Sequence, residues 1–395
     1  MMYFLLVPFF TLLGLIPLNK RSILFLGLVV ISAYIIFCCL EYKVGVDWFL
    51  YKSKYDNYDS YDGITVEFGF GILMRFFSYL NIDFFAFYFL LKIIAAVAIF
   101  DFIKKVTPEC YVLIFVLFIA LTTQLMIENL RQQFALIFLL YAVSALVANK
   151  KNLFLLLILC GSTFHITLLV TLPLYFIYRS WFLQSTLVVL SIITFALSIS
   201  HFDVLTGMLS VGKIIAPNSI AVTKLEVYLS YGGGSPLTIK HVFRNIFVLF
   251  VFYLYMKVKA KFSRESCSDH AYLNILSISF SAFLLQVLYE NLFYSSETMW
   301  VRISLYFVLF MLLSVFLSLK VIENKGVSFI VIFVVVIYSL HTMVDALTTD
   351  SAIENIIPAK NYLSYIVTDD HAYDIRRNKT VAYFWDSWEP AGASN

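Results

Sequence analysis

Ten apolar runs, each long enough to cross a bilayer, constrain the fold of this chain more than any other feature. They lie at 2–18, 22–40, 84–103, 110–127, 133–148, 182–200, 242–257, 272–289, 303–319 and 327–342. A helix needs about 20 apolar residues to cross the hydrocarbon core. Only 13% of the residues are charged, against about 25% in soluble domains. The sequence therefore predicts an all-α, polytopic membrane helix bundle.

Short basic clusters separate several of these runs. They are Lys20-Arg21, Lys104-Lys105, Lys150-Lys151, Arg179, the cluster from Lys257 to Arg264, and Lys320 with Lys325. Cytoplasmic loops of membrane proteins are enriched in Lys and Arg. All the clusters fall on the cytoplasmic side if the interrupted run 153–178 crosses out and back, with His165 near its outer turn. A re-entrant pass within 203–222 is the alternative. If the run 153–178 forms an out-and-back hairpin, we predict about 12 transmembrane segments.

The polar segments divide the chain into a membrane domain and a tail. Residues 1–342 form the predicted transmembrane domain, and its two large loops, 41–83 and 201–241, lie on the outer side. Residues 343–395 form a polar C-terminal tail, which we also place outside. The apolar segment from Met1 lacks a basic n-region and a cleavage site, so we interpret it as a transmembrane helix. The five cysteines show no metal-ligand spacing.

Arg131 opens the run 133–148 and is a candidate anion-binding residue, with Gln132 beside it. A guanidinium binds phosphate oxygens through two parallel hydrogen bonds and keeps its charge at every relevant pH. An arginine at mid-bilayer costs about 2.5–3.5 kcal/mol on insertion scales, so it usually faces a polar cavity. The alternative is a salt bridge to Glu128 that only stabilises the turn.

His165 interrupts the next apolar run, between Thr163 and Thr167. Imidazole titrates near neutral pH and acts as a base or as a donor to phosphate. The sequence therefore makes His165 a candidate catalytic residue, with a structural histidine as the alternative.

Two further arginines are candidates for substrate binding. Arg302 lies just before the run 303–319, five residues after Glu297, and either pairs with Glu297 or supplies a second guanidinium for a diphosphate. Glu297 is included among the candidates for the same reason. Arg244, close to His241, is a weaker candidate, since a long basic side chain also anchors a helix at the membrane interface.

The first outer loop combines carboxylates with aromatic residues, as sugar-binding sites do. Asp47 and Tyr51 follow Gly45, and Glu67 is followed by Phe68-Gly69-Phe70. The same composition is typical of an interfacial aromatic belt. Phosphate-binding loops, dinucleotide fingerprints, zinc-binding His-Glu-x-x-His motifs and nucleophile elbows are all missing from the sequence. This argues against ATP-driven transport and against a cytoplasmic sugar-nucleotide transferase, and no cofactor is expected.

The order of these motifs resembles the Wzy-type O-antigen polymerases, specifically the branch related to the EpsG exopolysaccharide proteins. The matching positions are Gly45, Asp47 and Tyr51, then Glu67, Gly69 and Phe70, then Arg131, Gln132 and Ala135, then Phe164-His165, and finally Arg302, Tyr306 and Phe307. Each motif is weak alone, and their order over residues 40–310 makes the case. The chain departs from the family by having Glu41 where members often have an arginine.

The resemblance implies a glycosyltransferase in the bacterial inner membrane, with its active site facing the periplasm. It would transfer a growing undecaprenyl-diphosphate-linked glycan onto the terminal sugar of another lipid-linked repeat unit. Arg131 and Arg302 would bind the diphosphate, and His165 would be the base or a third phosphate contact. Asp47 or Glu67 would be the alternative base or a sugar ligand.

The expected partners are membrane lipid and a separate chain-length regulator protein, and nucleic acid is not expected. An O-antigen ligase and a lipid-linked oligosaccharide flippase are the rival functions, with a sugar acyltransferase as a third. A ligase would show its own outer-loop pattern, which is missing from the sequence. A flippase would show inverted repeats and charges at mid-membrane depth.

Overall fold

The computed structural model confirms the predicted all-α, polytopic membrane architecture. It describes residues 2–57, 67–200, 203–215, 238–264, 270–322, 324–349, 360–368 and 371–386, together with the single residues 222, 226, 229 and 356. Within these residues, eight helices are long and apolar enough to cross a membrane. Most of the predicted outer loop 201–241, including Gly232 to Gly234, lies outside the described residues.

The helices up to residue 147 alternate between long spans and shorter pieces. They are α1 (Met2–Gly14), α2 (Lys20–Tyr34, extended by a π-helical turn Ile35–Cys39), α3 (Asp47–Asp56), α4 (Phe68–Tyr79), α5 (Phe84–Val106), α6 (Tyr111–Leu121), α7 (Thr123–Glu128) and α8 (Leu130–Val147).

The remaining described elements follow in chain order. They are α9 (Lys151–Ser162), a 3₁₀ helix (Ile166–Thr171), α10 (Leu174–Ile177), α11 (Trp181–Ile199), α12 (Val204–Ile215), α13 (Ile239–Arg264), α14 (His270–Leu292), α15 (Glu297–Leu319), α16 (Lys325–Thr348), α17 (Tyr362–Thr368) and α18 (His371–Asp386). Two short strands, β1 (Glu41–Tyr42) and β2 (Lys360–Asn361), form an antiparallel pair.

The run 153–178 is broken at His165, as its sequence predicts. α9 ends at Ser162, and the chain turns before the 3₁₀ helix begins at Ile166. Pro173 has no N–H to donate to a continuing helix, and α10 restarts directly after it. The direction in which the two arms cross the membrane stays a prediction.

The chain divides into two compact units, which are described separately. Unit 1 comprises Met1–Leu140, Leu159–Ile166 and Phe329–Asn395. Its core contains a large aromatic cluster drawn from α3, α4, α5 and α18, in which Phe70 and Phe87 are fully enclosed. The β1–β2 pair belongs to this unit and joins the first outer loop to the C-terminal part of the chain.

Unit 2 comprises Tyr141–Ile158 and Thr167–Ser328. In it α14 packs against α15, α11 and α13, and α15 is the most enclosed of the eight candidate spans. Apolar packing of this kind leaves any polar group inside the unit dependent on a protein partner, because lipid offers none. Several buried polar residues of unit 2 are accordingly found in a hydrogen-bonded group, described below.

Candidate functional site

A carboxylate shared by a guanidinium and an imidazole forms the centre of a polar cluster in unit 1. Glu67 makes an ion pair with Arg131 through one oxygen and lies 3.1 Å from Nδ1 of His165 through the other. The three side chains are only 11–17% exposed. The structure therefore brings together three of the residues that the sequence singled out separately.

The start of α4 places Glu67 beside the turn that carries His165. Glu67 is the N-cap of α4, but its side chain makes no capping bond and is directed to the cluster instead. Two residues on, the N–H of Gly69 donates to the carbonyl of Thr163 at 2.8 Å. A side chain at Gly69 would meet the Thr163 hydroxyl at 2.3 Å and its carbonyl oxygen at 2.9 Å. Glycine is required there because the two backbones approach so closely.

A break between α7 and α8 places Arg131 in the first turn of α8. Gln133 stabilises the break by donating to the carbonyls of Leu125 and Met126, at 3.1 and 2.8 Å, near the end of α7. A cation at the positive end of a helix dipole is unfavourable by itself. The Glu67 carboxylate compensates for this, and the pair keeps the guanidinium at a site that attracts anions. Gln132, the other residue predicted here, is fully buried.

Asp47 and Tyr51 extend the cluster on the side of the first outer loop. The Tyr51 hydroxyl accepts from Nε of Arg131 at 3.1 Å and donates to Asp47 at 3.3 Å. Phe70 packs against the Tyr51 ring, with 5.5 Å between centroids. Five of the predicted site residues thus form one chain of contacts, from Asp47 through Tyr51, Arg131 and Glu67 to His165.

The electrostatics of the cluster assign different roles to its carboxylate and imidazole. Burial raises the pKa of Glu67, but the hydrogen bond from His165 and the charge of Arg131 outweigh it and lower that pKa to about 2. An ionised carboxylate only accepts hydrogen bonds, so Nδ1 of His165 must be the donor. We infer that in the neutral ring the lone pair lies on Nε2, as required of a base oriented by a carboxylate.

The first outer loop is built around Gly45, which has a φ of +77°. A side chain there would also meet Cγ of Glu128 at 2.7 Å. Both facts explain the glycine two residues before Asp47. Arg131 makes an ion pair with Glu67, and the pairing with Glu128 that the sequence offered as an alternative stays a prediction.

A second shared carboxylate lies within unit 2 and involves the predicted Arg244. Glu290 forms an ion pair with Arg244 and lies 3.2 Å from Nδ1 of His241 through the same oxygen. Arg244 also stacks over Trp300, 4.8 Å from the ring centroid. The sequence did not single out Glu290. The pattern that could have identified it is an acidic residue at the end of the run 272–289 and two basic residues at the start of the run 242–257.

The neighbouring asparagines complete this network. Asn245 and Asn291 exchange side-chain hydrogen bonds of 3.0 and 2.9 Å, and Asn291 also donates to Ser191 of α11. All these groups are buried, and their mutual hydrogen bonds satisfy polar atoms that lipid cannot, although Oε2 of Glu290 has no hydrogen-bond partner among the described residues. This pattern fits a structural role at least as well as a substrate-binding one, and substrate binding by Arg244 stays a prediction.

Arg302 lies in unit 2, where it is half-buried on α15. Tyr306, one turn further, is fully buried and accepts from Thr167 at 3.4 Å, while Phe307 packs on Tyr289. The side chain of Glu297 lies outside the described residues. The predicted substrate contacts of Arg302 and Glu297 stay predictions.

The described residues contain no group of three or more His, Cys, Asp and Glu side chains that could hold a metal ion. A buried carboxylate that orients an arginine and a histidine at the ends of apolar helices instead defines a polar site in a multi-pass membrane protein. The cluster places a guanidinium and an imidazole around one carboxylate.

The chain belongs to the EpsG family, whose family model matches residues 2–365. The predicted family is therefore confirmed, and it places the chain among membrane glycosyltransferase-like polymerases. The match includes every residue of the cluster and ends before α18. No curated protein and no solved structure shows significant similarity to the chain.

Proposed function

We propose that the protein polymerises lipid-linked glycan repeat units, in a bacterial inner membrane and on its periplasmic face. The donor is a growing glycan on undecaprenyl diphosphate, and the acceptor is the terminal sugar of another lipid-linked repeat unit. The observation that carries this proposal is the Arg131–Glu67–His165 cluster in a member of a membrane polymerase family.

The position of the cluster along its helices supports an outward-facing site. Arg131 is in the first turn of α8, and His165 follows the end of α9. The basic pair Lys150-Lys151 joins the opposite ends of these two helices. Because basic loops are retained in the cytoplasm, the Arg131 end of α8 is the end expected outside.

The chemistry needs neither a nucleotide nor an external energy source, because the diphosphate is already an activated leaving group. The acceptor hydroxyl attacks the anomeric carbon of the donor, and the bond from that carbon to the diphosphate oxygen breaks. Nε2 of His165 takes the hydroxyl proton, and Arg131 stabilises the charge that develops on the departing diphosphate. Glu67 holds both groups in place, and Asp47 and Tyr51 are the residues that we propose for binding the acceptor sugar.

A polysaccharide ladder on a silver-stained gel tests this function. The strain deleted for the gene is complemented with wild type, Arg131→Ala, Arg131→Lys or His165→Ala, and membrane insertion of each variant is checked by blotting. We expect both alanine variants to lose the ladder and keep a single repeat unit attached to its final acceptor. Arg131→Lys should be poor, because lysine keeps the charge and loses the two parallel hydrogen bonds.

The single repeat unit separates the rival functions. Its retention without a ladder shows that export and ligation both work, which leaves polymerisation as the missing step. Loss of the single unit as well would favour a flippase or ligase and contradict the proposal. A normal ladder with Arg131→Ala would remove this residue from the mechanism.

A further inference from the structure

The C-terminal segment of the chain, residues 360–368 and 371–386, packs directly on the loop that carries Asp47. β2 pairs with β1 in the register Glu41 to Asn361 and Tyr42 to Lys360. The N–H of Tyr362 donates to the carbonyl of Leu40 at 2.9 Å. A polar segment that the sequence predicts only as a tail is therefore bound, through its backbone, six residues before Asp47.

The last helix adds an ion pair to this backbone pairing. Lys43 lies 3.2 Å from a carboxylate oxygen of Asp374, and its ammonium also donates to the side-chain carbonyl of Asn378 at 3.2 Å. The Lys43 side chain is only 9% exposed and lies over the rings of Tyr42 and Trp48. A lysine buried this far needs a compensating charge, and Asp374 supplies it.

The same helix takes part in the aromatic core beneath the site. Tyr373, Arg377 and Val381 are spaced by four residues and form one buried face of α18. The Tyr373 hydroxyl donates to the carbonyl of Tyr42 at 2.9 Å. Tyr373 and Val381 belong to the buried cluster that also contains Tyr51 and Phe70, so the packing of α18 is continuous with that of the site.

The contacts with the C-terminal segment act on a part of the loop whose backbone has an unusual conformation. Lys43 has a φ of +52° and Gly45 a φ of +77°, so the chain passes through two left-handed residues just before Asp47. A non-glycine residue in that region is unfavourable and persists where surrounding contacts impose it. The ion pair to Asp374 acts on one of these two positions.

We propose that the C-terminal segment is a positioning element for the active site, and that the Lys43–Asp374 ion pair is its central contact. It holds the first outer loop in the conformation that brings Asp47 and Tyr51 to Arg131. The catalytic consequence rests on the function proposed above. Asp374 acts through the loop and touches none of the reacting groups. The family match ends at residue 365, before α18 begins, so the family assignment by itself does not account for the contacts of α18.

The test is a charge exchange followed by two independent measurements. The variants are Asp374→Lys, Lys43→Asp and the double exchange of both. Aspartate is one of the residues that tolerate a left-handed backbone, so Lys43→Asp reverses the charge without adding backbone strain. Lys379→Ala, which removes a charge from the exposed side of α18, is the matched control.

The first measurement is hydrogen exchange of the peptide covering residues 44–56 in the purified, full-length protein. We expect each single variant to raise the exchange rate about tenfold, as expected for losing a charge-assisted contact. The double exchange should restore most of the protection, and Lys379→Ala should match wild type. Unchanged exchange in both single variants would overturn the proposal, whatever the enzymatic activity.

The second measurement is the polysaccharide ladder of the same strains. Loss or shortening of the ladder in the single variants, with recovery in the double exchange, would support a positioning role. Faster loop exchange with a normal ladder would overturn that role. Failure of the proposed function has a different signature, namely a ladder that survives Arg131→Ala while the loop exchange still responds to Asp374→Lys.

Discussion

Glu67 is shared by a guanidinium and an imidazole, and this sharing makes it a poor proton acceptor. A carboxylate with a pKa of about 2 is a very weak base near neutral pH. The imidazole that it orients is better suited, because its ordinary pKa lies close to neutrality. The sequence left the choice of base open between His165, Asp47 and Glu67. The low pKa of Glu67 disfavours it, and the choice between His165 and Asp47 stays a prediction.

Replacing Glu67 by glutamine should therefore act on the orientation and charge of its partners. We expect Glu67→Gln to reduce the polymerisation rate on purified lipid-linked repeat units by about 10²-fold or more, the scale of general acid–base catalysis. The acid limb of the pH–rate profile should move to lower pH, because an imidazole that loses a neighbouring carboxylate binds its proton less tightly.

The exposed acid Asp101 offers a matched control for this variant. It pairs with Lys105 on the surface of α5, so Asp101→Asn removes the same kind of charge at an exposed position outside the cluster. We expect its rate and pH profile to match wild type. An acid limb unchanged in Glu67→Gln would show that His165 is not the titrating group.

Glu41 is a buried carboxylate of the opposite kind. Burial raises its pKa to about 7, and the charge of Lys92 offsets only part of that rise. Its pKa in the folded protein is thus above the ordinary value of 4.5. Glu41 therefore contributes stability that is fully present below about pH 4.5 and is lost as the pH rises through 7.

Glu41→Gln should remove this pH dependence, because the amide resembles the protonated acid. We expect its free energy of unfolding to equal that of wild type near pH 4 and to exceed it at pH 8 by up to about 3 kcal/mol. Thermal unfolding in detergent at both pH values measures this. A variant that is destabilised at pH 8 would show that Glu41 is needed there as an ionised partner of Lys92.

The individual residues of the site were the part most easily predicted from the sequence, and the contacts between them were the part least easily predicted. A charged or imidazole group in an apolar run is costly, so Arg131 and His165 stand out from the sequence alone. Glu67 lies 64 and 98 residues away from them in the chain. No local pattern encodes which acid meets which base over such separations, because tertiary packing decides it.

At the scale of helices, the contact between α4 and the turn after α9 determines the geometry of the cluster. The N–H of Gly69 binds the carbonyl of Thr163, and these residues are only two positions from Glu67 and His165. Any widening of this contact separates the carboxylate from the imidazole. A displacement of about 1 Å in such a site can cost about 10²-fold in rate.

Gly69→Ala tests this coupling. The new methyl would lie 2.9 Å from the Thr163 carbonyl oxygen, so the two backbones must move apart. We expect the polymerisation rate to fall by about 10²-fold while the protein still inserts and folds. Gly207→Ala in α12 is the control, because nothing lies within 4 Å of the added methyl. It should leave the rate unchanged, and a normal rate in Gly69→Ala would contradict the coupling.

Helices were predictable where composition alone decides them. Long apolar runs identify membrane spans, and His165 and Pro173 marked the break after α9. The helices α17 and α18 could not be predicted in this way, because the segment around them is polar and aromatic without a long apolar run. Their position depends on β1 and on Lys43, which are more than 300 residues away in the chain.

At the scale of the whole chain, the β1–β2 pair ties the C-terminal segment to the side of the membrane on which β1 lies. Strands that exchange backbone hydrogen bonds must lie on the same side. β1 follows the span that begins at Lys20, so it lies on the side opposite the basic pair Lys20-Arg21. By the positive-inside rule we expect that pair in the cytoplasm, and we therefore expect the C-terminal segment outside.

A reporter fused to the C-terminal end of the chain tests this topology. We expect alkaline phosphatase to be active there and a green fluorescent protein to be dark, because the first folds only outside and the second only in the cytoplasm. Fusions truncated after Lys151 should show the reverse, since that basic pair is predicted to be cytoplasmic. A fluorescent C-terminal fusion would contradict the pairing of β2 with β1, and with it the positioning role of α18. The expected pattern would place Asp374 on the same side as Asp47, as the proposed mechanism requires.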